Sequence, residues 1–200
     1  MQTIEPLQFD KYYHIYNQGV NNTNLFKTAD NYEYFLTLYD KHITPISETI
    51  VWCLMPNHFH LLVKIKPLTG FETLSGMDDN NKIKPPHQYF SNLFNAYTQA
   101  FNKMYKRRGV LFQRPFKRKL IDNERYFINL VLYIHNNPVH HGFVENAIEW
   151  GWSSCLTCLS TKPTKVEREF ILEQFGGLEN FKNMTENYNT RNDCELFGDI

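Results

Sequence analysis

Residues 58–66 read HFHLLVKIK, and this stretch decides the fold. Successive side chains of a β-strand point to opposite faces of the sheet. One face of this stretch is therefore wholly apolar, whereas the other carries two histidines and two lysines on either side of Leu62. Such sorting is typical of a strand in an antiparallel sheet that packs helices against one face only.

The segments around this strand follow a βαββαβ order and end in a further helix. Aromatic and β-branched runs predict strands, and apolar residues at helical spacing predict helices. The predicted strands are residues 11–17, 49–54, 58–66 and 116–121, and the predicted helices are residues 30–44, 88–107 and 123–137. We expect Gly109 to cap the second helix, Asp122 to cap the third and Pro138 to end it. The order predicts an α+β, ferredoxin-like fold, with helices on one face of an antiparallel sheet.

The composition is that of a globular protein. The chain has 200 residues, of which 42% are hydrophobic and 16% aromatic, so a single domain with an extension can bury a real core. No apolar run is long enough to cross a membrane, and the first residues carry no secretory signal, so we expect a cytoplasmic protein. Cys155 and Cys158 form a lone C-x-x-C pair, which we interpret as incidental because a zinc site needs further ligands.

The net charge of zero conceals a basic block at residues 80–121, which contain no acidic residue. Such a block is typical of a surface that contacts nucleic-acid phosphates. The alternative is a solvated surface balanced by acidic neighbours. The basic residues of the block are Lys82, Lys84, Lys103, Lys106, Arg107, Arg108, Arg114, Lys117, Arg118 and Lys119.

Two pairs of residues carry candidate chemistry. His58 and His60 project from the same strand face and could bind one divalent metal, although alternating histidines are more often ordinary polar residues of a solvated strand. Tyr133 and Asn137 lie one helical turn apart. A tyrosine hydroxyl can attack phosphorus, and an amide oxygen is a suitable ligand for a hard cation. The alternative is a core tyrosine and an asparagine that caps the helix before Pro138.

Five segments, in order, resemble the REP-associated tyrosine transposases, single-tyrosine enzymes with a His-hydrophobe-His motif that are related to small bacterial insertion-sequence transposases. The resemblance spans roughly residues 11–160. The five segments are 13–19 (YHIYNQG), 55–63 (MPNHFHLLV), 109–120 (GVLFQRPFKRKL), 133–139 (YIHNNPV) and 152–154 (WSS). The pattern departs from the family at Gln18 and His140, where arginine is common.

The resemblance implies a site made of a tyrosine nucleophile and a metal. Tyr133 would be the nucleophile, and His58, His60 and Asn137 would bind Mg²⁺ or Mn²⁺. The tyrosine-bearing helix would lie across the open face of the sheet. The catalytic domain would cover residues 1–160, and residues 161–200 would form an extension that begins as a helix and ends as a flexible tail.

The implied function is cleavage and rejoining of single-stranded DNA, next to a hairpin, through a covalent 5′-phosphotyrosine intermediate. The protein would act as a monomer or a homodimer. Tyr12, Tyr16 and Tyr105 are candidates for stacking on bases. The residues expected to contact DNA are Lys64, Lys103, Lys106, Arg107, Arg108, Arg114, Lys117, Arg118 and Lys119.

Two other functions fit the same residues. A module of the same fold could bind single-stranded nucleic acid without cutting it. A metal-dependent hydrolase could use water, with Tyr133 in a structural role. A covalent adduct on Tyr133 would distinguish the transposase from both alternatives, and cleavage that does not need Tyr133 would distinguish the hydrolase from the binding module.

Overall fold

The structure is a computed structural model that describes residues 6–69 and 84–188. Its core is a four-stranded sheet flanked by helices. The strands are β1 (Tyr12–Gln18), β2 (Ser47–Leu54), β3 (His58–Ile65) and β4 (Lys117–Ile121). The main helices are α1 (Ala29–His42), α2 (Pro86–Met104), α3 (Glu124–His140), α4 (Cys155–Leu159), α5 (Arg168–Gln174) and α6 (Leu178–Glu186). Across the described ranges, no helix is both long and apolar enough to span a membrane.

The strands follow the order β2-β3-β1-β4, and every pairing is antiparallel. This order confirms the predicted ferredoxin-like α+β fold. The register places Tyr16 opposite His60 on one side and opposite Lys117 on the other. Since paired residues share a face, these three side chains form one row across the sheet.

The back face of the sheet is the apolar face predicted from residues 58–66. Phe59, Leu61, Val63 and Ile65 all belong to the larger hydrophobic core. The Phe59 ring lies between α1 and α2, with its centroid 5.4 Å from Phe35 and 5.5 Å from Phe94. This face is therefore closed by the two helices that connect the strands.

The front face carries His14, Tyr16, His58, His60 and Leu62, and α3 packs across it. A second hydrophobic core surrounds this contact. The C-terminal segment completes that core from outside. Its members from the sheet, α3 and the C-terminal segment include Val51, Leu62, Leu130, Val131, Ile134, Ile171 and Phe181.

The predicted end of α3 at Pro138 is wrong, because the helix continues through Pro138 to His140. A proline this near the end removes a single helical hydrogen bond, which the last turn tolerates. The chain turns away from the helix at Gly142, two residues beyond its end, where the backbone adopts a left-handed φ of 70°. The amides of Gly142 and Phe143 bond back to the carbonyls of Val139 and Pro138. This pattern is a Schellman motif, for which glycine is the preferred residue.

The two predicted helix caps are also wrong. The side chain of Asn123, not Asp122, accepts the amide of Tyr126 at the start of α3. The helix α2 ends at Met104, and Lys106 takes the left-handed position expected for Gly109, with φ of 52°. The amide of Arg107 donates a hydrogen bond to the carbonyl of Asn102 over 3.0 Å and closes this end of the helix.

Candidate functional site

The site lies where the beginning of β3 meets the end of α3. A tight turn precedes β3, and the Met55 amide bonds to the His58 carbonyl across it over 2.9 Å. The two histidines that follow share a face because they are two residues apart. Opposite them, Tyr133 and Asn137 share a face of α3 because they are one turn apart.

The structure brings together all four residues that the sequence singles out. His58 Nε2 lies 2.8 Å from Asn137 Oδ1. The Tyr133 ring meets His60 edge to face, with a centroid distance of 5.4 Å. Each of the four side chains is at most 2% exposed. The front face is therefore a buried polar contact under α3, rather than a solvated strand face.

Each histidine of the pair is held at Nδ1 by a further residue. His58 Nδ1 lies 2.8 Å from Asn57 Oδ1, and His60 Nδ1 lies 2.9 Å from His14 Nε2. The Nε2 atoms of both rings are therefore turned away from these bonds. The sequence did not identify Asn57 and His14 as site residues. The signal for His14 was its place in the first predicted strand, but only the register between β1 and β3 brings it beside His60.

Burial favours the neutral form of both site histidines. Burial lowers the pKa of His58 to about 4, against a smaller opposite effect of the Asn137 bond. Burial and then the neighbouring His14 and His58 hold the pKa of His60 well below its ordinary value. A metal ligand must offer the lone pair of a neutral imidazole, so burial prepares both rings for that role.

The polar atoms of the site fit a divalent cation. A neutral imidazole has one N–H, yet His58 faces an oxygen at each ring nitrogen, so only one of the two oxygens can accept from it. A cation shared by His58 Nε2 and Asn137 Oδ1 removes this conflict. Two ligands at right angles on such a cation would be about 3 Å apart, close to the separation found.

A third donor is available at the same place. His60 Nε2 is buried and has no hydrogen-bond partner among the described residues. In the same ranges, no group of three His, Cys, Asp or Glu side chains could hold a metal, so the amide oxygen of Asn137 is needed to complete the set. Two imidazole nitrogens and one amide oxygen suit Mn²⁺ by ligand softness, and Mg²⁺ less well.

The predicted DNA contacts separate into two groups. Lys117 and Lys119 are exposed on β4 and share the front face with the site. Their ammonium groups lie over the rings of Tyr16 and Tyr126, at 5.5 and 4.2 Å.

The other predicted DNA contacts lie away from the front edge of β4. Arg118 points to the back, where its guanidinium stacks on Phe116 at 4.1 Å. Lys64 forms an ion pair with Asp10 at 2.8 Å. The remaining residues lie at the end of α2 or in the loop after it: Lys103, Lys106, Arg107, Arg108 and Arg114.

The aromatic residues considered for base stacking have packing partners. Tyr12 stacks on Phe170 at 5.9 Å, and the Tyr105 hydroxyl donates to Asn31 Oδ1 over 2.8 Å. Tyr16 is half-buried and stacks on His14 at 4.5 Å. Tyr16 therefore remains the candidate nearest the site.

Comparison with known proteins decides the family. A Haemophilus influenzae protein assigned to the REP-associated tyrosine transposases is 31% identical over 140 residues, which cover 68% of this chain and 70% of that protein. This chain belongs to the REP-associated tyrosine transposases. No protein-family model matches it. Membership confirms the resemblance read from the five sequence segments.

A solved structure of a REP-associated tyrosine transposase bound to a REP hairpin has the same fold. The superposition gives a TM-score of 0.59 and covers 82% of this chain and 89% of that one. The sequence identity between the two is 16%, so the likeness concerns the fold alone. The sheet, the helices on its back face and the overall arrangement are thus those of a REP-associated tyrosine transposase.

Proposed function

We propose that this transposase cleaves and rejoins single-stranded DNA through a covalent link between Tyr133 and a 5′-phosphate. The observation that carries the proposal is the convergence of the nucleophile with three metal donors in one buried contact. His58 Nε2 and Asn137 Oδ1 are 2.8 Å apart, and the Tyr133 ring lies against His60. His58, His60 and Asn137 would hold Mg²⁺ or Mn²⁺.

The reaction is a transesterification in which nothing is oxidised or reduced. The Tyr133 hydroxyl oxygen forms a bond to phosphorus, and the bond from phosphorus to the 3′ oxygen breaks. The tyrosine proton passes through solvent to the departing oxygen, which leaves as a 3′-hydroxyl. Attack by another 3′-hydroxyl reverses the sequence and restores the tyrosine. The phosphotyrosine keeps the phosphodiester's free energy, so no nucleotide cofactor is needed.

The residues of the chain have separate tasks in this reaction. A cation bound by the three donors would polarise a phosphate oxygen. Burial keeps both imidazoles neutral as ligands. Lys117 and Lys119, exposed at the edge of the front face, would neutralise the phosphates on either side of the cleaved bond.

DNA must approach a site that is closed to solvent. His141 is exposed, and its ring centroid lies 5.0 Å from that of His58, one turn beyond Asn137. We infer that the scissile phosphate enters on this side, past His141, because the sheet and α3 cover the other directions. The solved relative bound to a REP hairpin supports a hairpin as the substrate.

One gel assay tests this function. The protein is incubated with Mn²⁺ and end-labelled hairpin DNA that carries single-stranded flanks, and the products are separated with and without protease. We expect a protease-sensitive adduct that is lost in Tyr133→Phe. Tyr126→Phe is the matched control, since Tyr126 lies on the same helix two turns earlier and should retain the adduct.

The assay also separates the two competing functions. Cleavage that persists in Tyr133→Phe would identify a hydrolase that uses water. Tight binding with no adduct under any condition would identify a binding module, the function favoured by the almost complete burial of Tyr133.

A further inference from the structure

We propose that His14 is a positioning residue of the metal site, which accepts the Nδ1 proton of His60 and keeps the Nε2 lone pair of His60 directed at the cation. This inference rests on the function proposed above. It concerns a residue of β1 that would contact neither the metal nor the DNA.

The geometry ties His14 to His60. His14 Nε2 lies 2.9 Å from His60 Nδ1, and the two rings are nearly parallel, at 22°. Neither side chain has measurable exposure. His14 is the diagonal neighbour of His60 across β1 and β3, because Tyr16 is the residue directly opposite His60. Strand register therefore fixes this hydrogen bond.

A neutral imidazole pair can share a proton in only two ways. If His14 donates, the proton of His60 sits on Nε2, where it blocks the metal. If His60 donates from Nδ1, its Nε2 carries a free lone pair. Only the second arrangement makes His60 a ligand, and a bound cation would also satisfy the Nε2 atom that has no partner among the residues described.

His58 shows the same arrangement with a simpler partner. Its Nδ1 faces the amide oxygen of Asn57, which can accept but not donate. In both histidines Nδ1 is therefore the nitrogen that is held, and Nε2 is the nitrogen left for a cation. Residues that hold a ligating histidine in this way raise metal affinity, and their loss typically weakens binding 10- to 100-fold.

His14 is a less decisive acceptor than Asn57, because an imidazole can also donate. To accept from His60, His14 must carry its own proton on Nδ1, which has no partner within the described ranges. The cation is therefore what selects the productive arrangement of the pair.

The test compares the Mn²⁺ affinities of two variants at His14. Electron paramagnetic resonance measures the concentration of free Mn²⁺ during each titration. His14→Phe keeps a ring against Tyr16 but has no acceptor, and we expect Mn²⁺ affinity to fall about 10- to 100-fold. His14→Gln restores an acceptor near the former Nε2 position and should recover most of the loss. His135→Gln is the matched control, because His135 is equally buried but bonds to Ser154.

Nitrogen NMR of the metal-free wild-type protein and of its Zn²⁺ complex gives an independent readout. We expect a coupling between His60 Nδ1 and His14 Nε2, and in the complex a proton on His60 Nδ1. A proton on His60 Nε2 in the complex would overturn the proposal, as would unchanged Mn²⁺ affinity in a folded His14→Phe variant. If His14→Phe does not fold, His14→Gln and the wild-type spectra decide.

The outcome is separable from that of the proposed function. If no Tyr133 adduct forms but Mn²⁺ binding still depends on His14, the cleavage chemistry is refuted and the positioning role of His14 stands. If the Tyr133 adduct forms normally but His14 and His60 share no proton, the positioning role is refuted and the cleavage chemistry stands.

Discussion

Both faces of β3 are largely buried, but they are buried in different ways. Behind the sheet, Phe59 packs between Phe35 and Phe94, and its neighbours along β3 are all aliphatic. In front, His58 and His60 occupy the alternate positions of the same strand and meet Tyr133 and Asn137. One strand of eight residues therefore carries both the main core and the candidate site.

The difference shows how the protein supports a site that does little for its stability. Buried apolar surface contributes about 25 cal/mol per Å² to folding, whereas a buried polar atom without a partner costs about 1–3 kcal/mol. The back face can therefore hold β3 in place while the front face keeps unsatisfied atoms such as His60 Nε2. We expect substitutions on the two faces to separate stability from chemistry.

The largest effect of a single substitution should come from the back face. Phe59→Ala removes a fully buried ring and leaves a cavity between α1 and α2. We expect the free energy of unfolding to fall by about 3–5 kcal/mol, measured by urea denaturation. A loss below about 1 kcal/mol would show that the back face does not carry the stability that its packing indicates.

The second effect is a loss of stability in acid, which should arise from the buried histidines. Burial lowers the pKa values of His14 and His135 from 6.5 to about 3. Between those pH values the unfolded chain takes up protons that the folded chain refuses. Stability is therefore complete above about pH 6.5 and declines as the pH falls toward 3, by up to about 1.4 kcal/mol per pH unit for each histidine.

Urea denaturation at several pH values between 7 and 5 measures this decline. His135→Gln should reduce the slope, because it removes one of the buried titrating groups. A free energy of unfolding that stays level over this range would contradict the neutral state of the buried histidines.

A smaller effect is expected when a site histidine is made apolar. His60→Leu removes a buried nitrogen that has no partner in the described part of the chain, but it also leaves His14 unpaired. These effects oppose each other, so the free energy of unfolding should stay within about 1 kcal/mol of wild type. Mn²⁺ binding should be lost. If this variant were as unstable as Phe59→Ala, the front face of β3 would contribute as much to stability as the back face, contrary to our expectation.

The smallest effect concerns the edge of the front face. Lys119→Gln should weaken binding of single-stranded DNA modestly and reduce the slope of log affinity against log salt by about 0.7. The measurement is fluorescence anisotropy over a range of salt concentrations. Lys103→Gln, at the end of α2, is the matched control and tests whether the basic block acts as a whole. Equal changes in both slopes would extend the DNA contact beyond the front face.

Local sequence patterns were sufficient for the fold. The alternation in residues 58–66 identified the two faces of β3, and the order of predicted elements gave the observed strand order. Helix ends were harder to predict. Pro138 and Gly109 are strong local signals for a helix end, but neither helix ends where they predict. A Schellman closure at Gly142 and one at Lys106 depend on backbone geometry that residue type alone does not determine.

The candidate site was predicted in its parts but not in its support. Tyr133, Asn137 and the two histidines stood out through spacing and family resemblance. His14 did not, because its role depends on the register between β1 and β3, which joins residues 46 positions apart. The contact of Phe181 with His135 could not be predicted either, because it depends on how α6 packs against α3.

The unsatisfied atoms under α3 also bear on how the gene is maintained. Random mutation would readily find apolar replacements for buried polar groups, and many such replacements would leave the protein as stable or more so. A chain released from selection for chemistry would therefore drift toward leucine or phenylalanine at these positions. This chain carries His58, His60, Tyr133 and Asn137 together, the four residues of the proposed site.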